Sequence, residues 1–203
     1  ELAEKKGVHT EILHPGNACD VPRSNFKPTK KIQAIFFARA IPEKGIFEIP
    51  YIWQHVHNAL PNATLHIFGH IPSRFNRKVF FKIIDKLNLS STINCHGFAD
   101  QFELESCLQD SKVFLYPSHF DCFSLSILES IANKTSVVTY DIPAASGSFN
   151  GLKCVHMVPE WDLSRMAKET IKVLRLNEDE YFNEHYNPIV CDYLNLHSSW
   201  SLV

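Results

Sequence analysis

Residues 116–130 read YPSHFDCFSLSILES, and they join the end of an apolar strand to the start of an apolar helix through a short polar loop. The predicted strand is Lys112–Tyr116 (KVFLY), and the predicted helix is Leu125–Ala132. A strand that is apolar along its whole length is typical of a parallel sheet that helices cover on both faces. This stretch therefore predicts one strand–loop–helix unit of an α/β fold.

The same alternation of strands and helices extends over most of the chain. Further strands are predicted at Thr10–Leu13, Lys31–Ala38, Thr64–Phe68, Thr92–His96, Ser136–Tyr140 and Lys153–Met157, and further helices at Gly45–Leu60, Asn76–Leu87, Gln101–Leu108 and Asp162–Leu174. Repeated units of this kind imply right-handed crossovers and a doubly wound, mostly parallel, Rossmann-like sheet. We expect residues 1–176 to form this domain and residues 177–203 to form a helical tail, interrupted by Pro188.

Composition excludes several classes of protein. The 203 residues are 45% hydrophobic and 21% charged, which is ordinary for a globular core. A net charge of −2 argues against a nucleic-acid partner or a membrane surface, and no apolar run is long enough to span a bilayer. The six cysteines form no CxxC pair and the eleven histidines show no metal-binding spacing, so we expect reduced thiols, a cytoplasmic location and no zinc. Because the first residue is Glu1, we expect a piece of a longer protein.

The loops that follow the strands carry the unusual polar residues. Doubly wound sheets bind ligands at the carboxyl ends of their strands, which selects residues 14–17, 39–45, 69–73, 97–100, 117–124 and 141–151. Arg39 and Lys44 lie near the start of a helix, where the dipole disfavours cations unless an anion is shared between them and the amides. Asp121 and Glu129 add two carboxylates that can accept hydrogen bonds from hydroxyls. A sugar nucleotide offers both phosphates and hydroxyls.

Each of these residues also has a purely structural interpretation. Arg39 and Lys44 can be solvent-exposed residues at the start of a helix, and Asp121 can stabilise a turn. Glu129 can close a capping box on Ser126 as the N-cap.

Three other side chains in or near the loops have weaker claims to a role. Cys122 has no identifiable partner for a nucleophile, and His70 and His119 are interpreted as surface residues of their loops.

Several short motifs, in one order along the chain, resemble the C-terminal, nucleotide-sugar-binding domain of the retaining GT-B glycosyltransferases, specifically the family four group. They are Phe37–Gly45 (FARAIPEKG), Tyr116–Glu129, His14-Pro15-Gly16, Leu60–Gly69, His96-Gly97-Phe98, Tyr140-Asp141-Ile142-Pro143, Asn150-Gly151 and Ser199-Trp200. The resemblance covers residues 8–175, with a weaker echo to the end. It implies that the domain is one half of a GT-B fold.

The resemblance also implies a role for individual residues. Arg39 and Lys44 would bind the donor diphosphate, Asp121 would face the donor hexose, and Glu129 would hold the ribose hydroxyls. With helix amides, the two cations would stabilise the leaving diphosphate in place of a metal ion, so neither a metal nor a cofactor is expected. Further donor contacts would come from Gly16, Gly69, Gly97, Phe98, Phe123, Ser124 and Leu125, with Gly97 and Phe98 at the nucleobase.

The implied partners follow from the same resemblance. The donor would be a UDP-, GDP- or ADP-sugar, and the acceptor would be held by the protein's own N-terminal domain, which lies outside this chain. The tail from Tyr181 to Trp200 would cross to that domain, which would also provide any peripheral membrane association.

The chain departs from the family pattern beside the first carboxylate. The family has glycine on both sides of the aromatic residue there, whereas this chain has Cys122 and Ser124. Glycine lets the backbone approach a ligand closely, so the change leaves a non-catalytic sugar-nucleotide-binding or scaffold subunit as an alternative. A doubly wound domain with another anionic ligand is the third hypothesis.

Overall fold

The structure is a computed structural model that describes residues 30–197. The predicted strand Thr10–Leu13 and the predicted donor contact Gly16 lie outside the described residues. The strands are β1 (Lys31–Phe37), β2 (Thr64–Phe68), β3 (Ile93–Gly97), β4 (Ser111–Tyr116), β5 (Ser136–Tyr140) and β6 (Val155–Val158). The helices are α1 (Ile49–Ala59), α2 (Arg74–Lys86), α3 (Gln101–Asp110), α4 (Leu125–Ala132), α5 (Pro143–Phe149), α6 (Leu163–Arg175), α7 (Glu178–His185) and α8 (Pro188–His197), with a 3₁₀ turn at Pro42–Lys44.

The six strands form one sheet in the order β3-β2-β1-β4-β5-β6, and every pairing between them is parallel. The prediction of a doubly wound, Rossmann-like α/β sheet is confirmed. Because the order reverses between β1 and β4, the loops after these two strands meet at the topological switch point, where such sheets bind ligands.

The core lies on both faces of the two central strands. Ala34, Ile35, Phe36 and the β4 segment Val113–Leu115 are fully buried, as expected for strands covered by helices on both sides. On one face α1 packs against α6, and the buried Trp53 ring donates a hydrogen bond to Thr92 Oγ1 at 3.3 Å. This rigid centre holds the β1 and β4 loops in place.

The predicted elements differ from the observed ones mainly at their ends. The helix predicted from Gly45 begins at Ile49, because the 3₁₀ turn ends at Gly45 with a φ of 72° and the chain must turn again before the helix. The helix α5 was not predicted, because its sequence PAASGSF has little apolar periodicity; Pro143 starts it.

The tail folds onto this domain. Pro188 starts α8 instead of interrupting a helix. The buried Tyr181 hydroxyl on α7 lies 2.7 Å from the Lys112 carbonyl and 2.8 Å from the Lys134 carbonyl, and it accepts a hydrogen bond from the Ser136 amide at 3.1 Å. The predicted contact of the tail with a further domain stays a prediction. Among residues 30–197, no helix is both long and apolar enough to cross a membrane.

Candidate functional site

A cleft of about 540 Å³ lies at the carboxyl ends of β1, β2 and β3. Its walls are mainly apolar, and Arg39 is the one side chain with a permanent charge among its lining residues. Four of the predicted site residues, Arg39, Gly69, Gly97 and Phe98, come together here. The Arg39 guanidinium makes no hydrogen bond or ion pair with residues 30–197, so it remains available to an anion.

Gly69 brings two loops of the cleft into close contact. A Cβ at this position would lie 2.1 Å from the Ala38 carbonyl oxygen, and the Gly69 amide donates to the Gly97 carbonyl at 2.7 Å. A larger residue at position 69 would therefore push the β1 and β2 loops apart. Gly97 has a φ of 72° with open space around it, so its backbone conformation favours glycine and the cleft stays open.

Lys44 and Asp121 form an ion pair between the β1 and β4 loops. The Lys44 Nζ lies 3.0 Å from Asp121 Oδ2, and it also donates to the Phe120 carbonyl at 2.8 Å. The Tyr116 hydroxyl donates to the same Oδ2 at 2.7 Å, and the Cys122 amide donates to Oδ1 at 3.0 Å. Both charged side chains are largely buried, at 11% and 18% exposed.

The contacts of this pair set the protonation of both groups. Burial would lower the pKa of Lys44, but the hydrogen bonds and charges of Tyr116 and Asp121 outweigh burial and raise that pKa. Burial would likewise raise the pKa of Asp121, but hydrogen bonds from Tyr116 and Lys44 lower it below its ordinary value. The pair is therefore fully charged at neutral pH, and it offers an ammonium group beside a carboxylate.

His119 joins three loops, although the sequence indicated a lone surface residue. Its backbone amide donates to the Glu43 carbonyl at 3.0 Å, and its ring nitrogens contact Glu48 and, at 2.7 Å, Glu160. Tyr140 donates to the other oxygen of Glu48, and burial followed by this hydrogen bond raises the pKa of Tyr140. The interpretation of His119 as an ordinary surface residue was wrong, and no local motif could have shown these partners.

Glu129 is a half-buried carboxylate without a partner in the part of the chain that the structure describes. The helix α4 begins at Leu125, and its N-cap is Ser124, whose buried hydroxyl accepts a hydrogen bond from the Ile127 amide at 3.4 Å. The alternative of a capping box between Ser126 and Glu129 is therefore wrong. The Glu129 carboxylate makes no hydrogen bond or ion pair within residues 30–197, and burial, with a contribution from the Glu105 charge, raises its pKa.

Glu129 lies behind the cleft on the same side of α4 as a cleft residue. Ser126, three residues before it and so on the same helical face, lines the cleft. A ligand in the cleft that extends toward this face would supply the hydrogen-bond donors that the carboxylate lacks.

The structure places the other predicted donor contacts away from the cleft walls. The Phe123 ring packs against Phe149 and His197, at centroid distances of 5.5 and 5.4 Å. Leu125 is half exposed on the first turn of α4.

His70, in contrast, lines the cleft, and its ring stacks on Phe98 with the ring centroids 5.4 Å apart.

Comparison with known proteins identifies the family. The family model described as "Glycosyl transferases group 1" matches residues 20–185. This chain belongs to the group 1 glycosyltransferases. The predicted recognition of the family is thereby confirmed.

Several named group 1 and GT-B glycosyltransferases are similar to this chain. Poly(glycerol-phosphate) alpha-glucosyltransferase of Bacillus subtilis (strain 168) is 24% identical over 153 residues, which are 73% of this chain and 21% of the relative. Alpha-monoglucosyldiacylglycerol synthase of Acholeplasma laidlawii is 29% identical over 109 residues, which are 53% of this chain and 27% of the relative. The chain therefore matches 21% and 27% of the lengths of these two relatives.

The fold is also similar to that of a solved glycosyltransferase. The crystal structure of TarM, a GT-B glycosyltransferase, superposes with a TM-score of 0.75 at 19% identity, covering 99% of this chain and 39% of TarM. At this identity the likeness shows the fold alone, and the chain corresponds to 39% of the length of TarM.

Proposed function

We propose that this chain is the donor-binding half of a retaining glycosyltransferase, and that it binds a nucleoside diphosphate sugar at the carboxyl ends of β1 to β4. The observation that carries the proposal is Glu129, a half-buried carboxylate that has no partner within residues 30–197 and lies one helical turn from a residue of the cleft. Two adjacent ribose hydroxyls are the donors that such a carboxylate binds best. The apolar walls beside Gly97 and Phe98 suit the nucleobase.

The cations support the phosphate part of the proposal. Negative charge develops on the leaving diphosphate during transfer, and donors fixed in advance stabilise that charge most effectively. Arg39, which is unpaired among the described residues, and the charged Lys44 are such donors, together with the amides of Leu125 and Ser126 at the start of α4. In this proposal no metal ion is required, Asp121 binds the donor hexose, and the acceptor is held by a domain outside this chain.

The known relatives suggest which donor to test first. Both curated relatives carry a glucosyl product or activity in their names, and a TarM mutant and GtfA were solved in complexes that include UDP. UDP-glucose is therefore the first donor to test here.

Calorimetric titration of the chain with UDP, GDP, ADP and their glucose derivatives, with and without Mg²⁺, tests the proposal. We expect one nucleotide to bind without the metal, and Glu129→Ala and Arg39→Ala each to weaken that binding about tenfold or more. Glu105→Ala is the matched control, because this exposed carboxylate lies near Glu129 but does not line the cleft. Unchanged affinity in both Glu129→Ala and Arg39→Ala would show that the donor site is not here.

A non-catalytic sugar-nucleotide-binding or scaffold subunit is the second candidate. It is favoured by Cys122 and Ser124, which replace the glycines of the family, and by the Ser124 hydroxyl being used to cap α4. The two functions differ in turnover alone. Transfer of a radiolabelled hexose by the full-length protein would exclude the scaffold, whereas nucleotide binding without transfer to any acceptor would favour it.

A further inference from the structure

Trp161 lies in the turn that follows β6, and its backbone conformation there is unfavourable for a residue with a side chain. Its φ is 68°, and it is the third residue of a four-residue turn closed by a 3.1 Å hydrogen bond from the Asp162 amide to the Pro159 carbonyl. A positive φ at this position of a turn favours glycine or asparagine, because an L side chain there is strained. A large aromatic residue is therefore held where glycine would fit better, which points to a use for the side chain.

One face of the Trp161 ring is covered and fixed. The ring stacks on His119 with centroids 3.8 Å apart and planes inclined by 23°. The two ring nitrogens of His119 contact the carboxylates of Glu48 and Glu160, one on each side, so the imidazole ring is held at both ends. Since 63% of Trp161 is nevertheless exposed, its open surface lies on the face opposite His119.

The order of the strands places this open ring beside the proposed donor site. The cleft and the proposed phosphate contacts occupy the ends of β3, β2, β1 and β4, and β6 lies two strands beyond β4. Adjacent strands are about 4.8 Å apart, so the β6 loop lies on the order of 10 Å from the loop that carries Asp121. His119, two residues before Asp121, connects the two loops.

We propose that Trp161, backed by His119, is a stacking platform for a pyranose ring of the acceptor, and that it adds to the contacts made by the domain outside this chain. A pyranose has a flat C–H face that suits an exposed indole, and its hydroxyls donate to carboxylates. The Glu160 carboxylate beside the ring is 39% exposed and keeps one oxygen free of the His119 bond. The site is distinct from the nucleotide cleft, and its assignment to the acceptor rests on the proposed function.

The test uses the 203-residue chain and the NMR signal of the Trp161 indole Nε1–H. The probes are methyl α-D-glucopyranoside and maltose, with glycerol as a control that offers hydroxyls but no ring face. We expect a saturable shift with both sugars and none with glycerol. Trp161→Gly removes the ring while keeping a residue that fits the turn, so it should weaken sugar binding roughly tenfold with little change in melting temperature. Binding by this variant is followed by saturation transfer from protein to sugar.

Phe102→Ala is the matched control, because Phe102 is an exposed aromatic residue on α3, away from β6, and its loss should leave sugar binding intact. The platform would be refuted by the absence of a saturable shift, by an equal shift with glycerol, or by undiminished binding in Trp161→Gly. Nucleotide calorimetry on the same preparation tests the donor site separately. Sugar binding without nucleotide binding would remove the donor assignment and leave a sugar site at Trp161.

Discussion

Replacing Asp121 with asparagine should destabilise the fold by an amount that the structure sets. The carboxylate receives three hydrogen bonds: Lys44 and Tyr116 share Oδ2, and the Cys122 amide uses Oδ1. Asparagine keeps one acceptor oxygen and no charge, so it loses either the amide bond or both bonds at Oδ2. Hydrogen bonds to charged groups are worth about 1.5–3 kcal/mol each, and the slight exposure of the pair favours the lower part of that range.

We therefore expect Asp121→Asn to lower the free energy of unfolding by about 2 kcal/mol, or the melting temperature by roughly 4–8 °C for a chain of this size. Urea denaturation of Asp121→Asn, Lys44→Met and the double variant gives the coupling between the two side chains. A coupling of about 1–2 kcal/mol would confirm the ion pair in solution. Additive effects, or a loss below about 0.5 kcal/mol in Asp121→Asn, would refute it.

The same two variants separate the proposed binding roles. Lys44→Met should weaken UDP and UDP-glucose alike, because it removes a contact to the diphosphate. Asp121→Asn should leave UDP affinity unchanged and reduce only the additional affinity that the hexose provides. Equal losses for both ligands in Asp121→Asn would contradict a contact between Asp121 and the hexose.

Three other predictions concern stability. Because folding lowers the pKa of Asp121, the ionised carboxylate stabilises the protein at neutral pH. This stabilisation, which Asp121→Asn removes, should disappear as acid protonates the carboxylate below about pH 4. Urea denaturation of both proteins at several pH values would measure the difference. The raised pKa of Glu129 means that ionisation of this carboxyl costs stability, so Glu129→Gln should raise the free energy of unfolding at pH 7 and leave it unchanged at pH 3. An equal effect at both pH values would contradict the argument. Gly45→Ala should cost about 3 kcal/mol or more in thermal melts, because its Cβ would lie 2.0 Å from the Pro117 carbonyl oxygen. Gly97→Ala, at a residue with the same φ but open space around it, should cost about 1 kcal/mol. Similar losses in the two variants would exclude the clash as the cause.

The helix α4 shows which features the sequence predicts and which depend on the tertiary structure. The sequence correctly located the helix from Leu125 to Ala132, because its apolar periodicity is a local property. The sequence suggested Ser126 as an N-cap that pairs with Glu129, whereas the N-cap in the structure is Ser124. This difference changes the interpretation of Glu129 from a capping residue to a carboxylate without a partner among residues 30–197. The environment of Phe123, by contrast, could not be predicted from the sequence. Its aromatic partners lie on α5 and α8, and the sequence of α5 is too polar to be predicted as a helix.

The sequence by itself determined the α/β fold, the edge at which sheets of this kind bind ligands, and the two cations and two carboxylates near that edge. These follow from local properties, since continuous apolar runs form buried parallel strands and the loops after such strands share one edge. Only the tertiary structure decided how those side chains pair. Lys44 and Asp121 are 77 residues apart, and His119 is 71 residues from Glu48 and 41 from Glu160. These contacts exist because β1 lies beside β4, and because β5 alone separates β4 from β6 in the sheet. The order of the strands is set by the packing of the whole domain, which no local stretch of sequence determines.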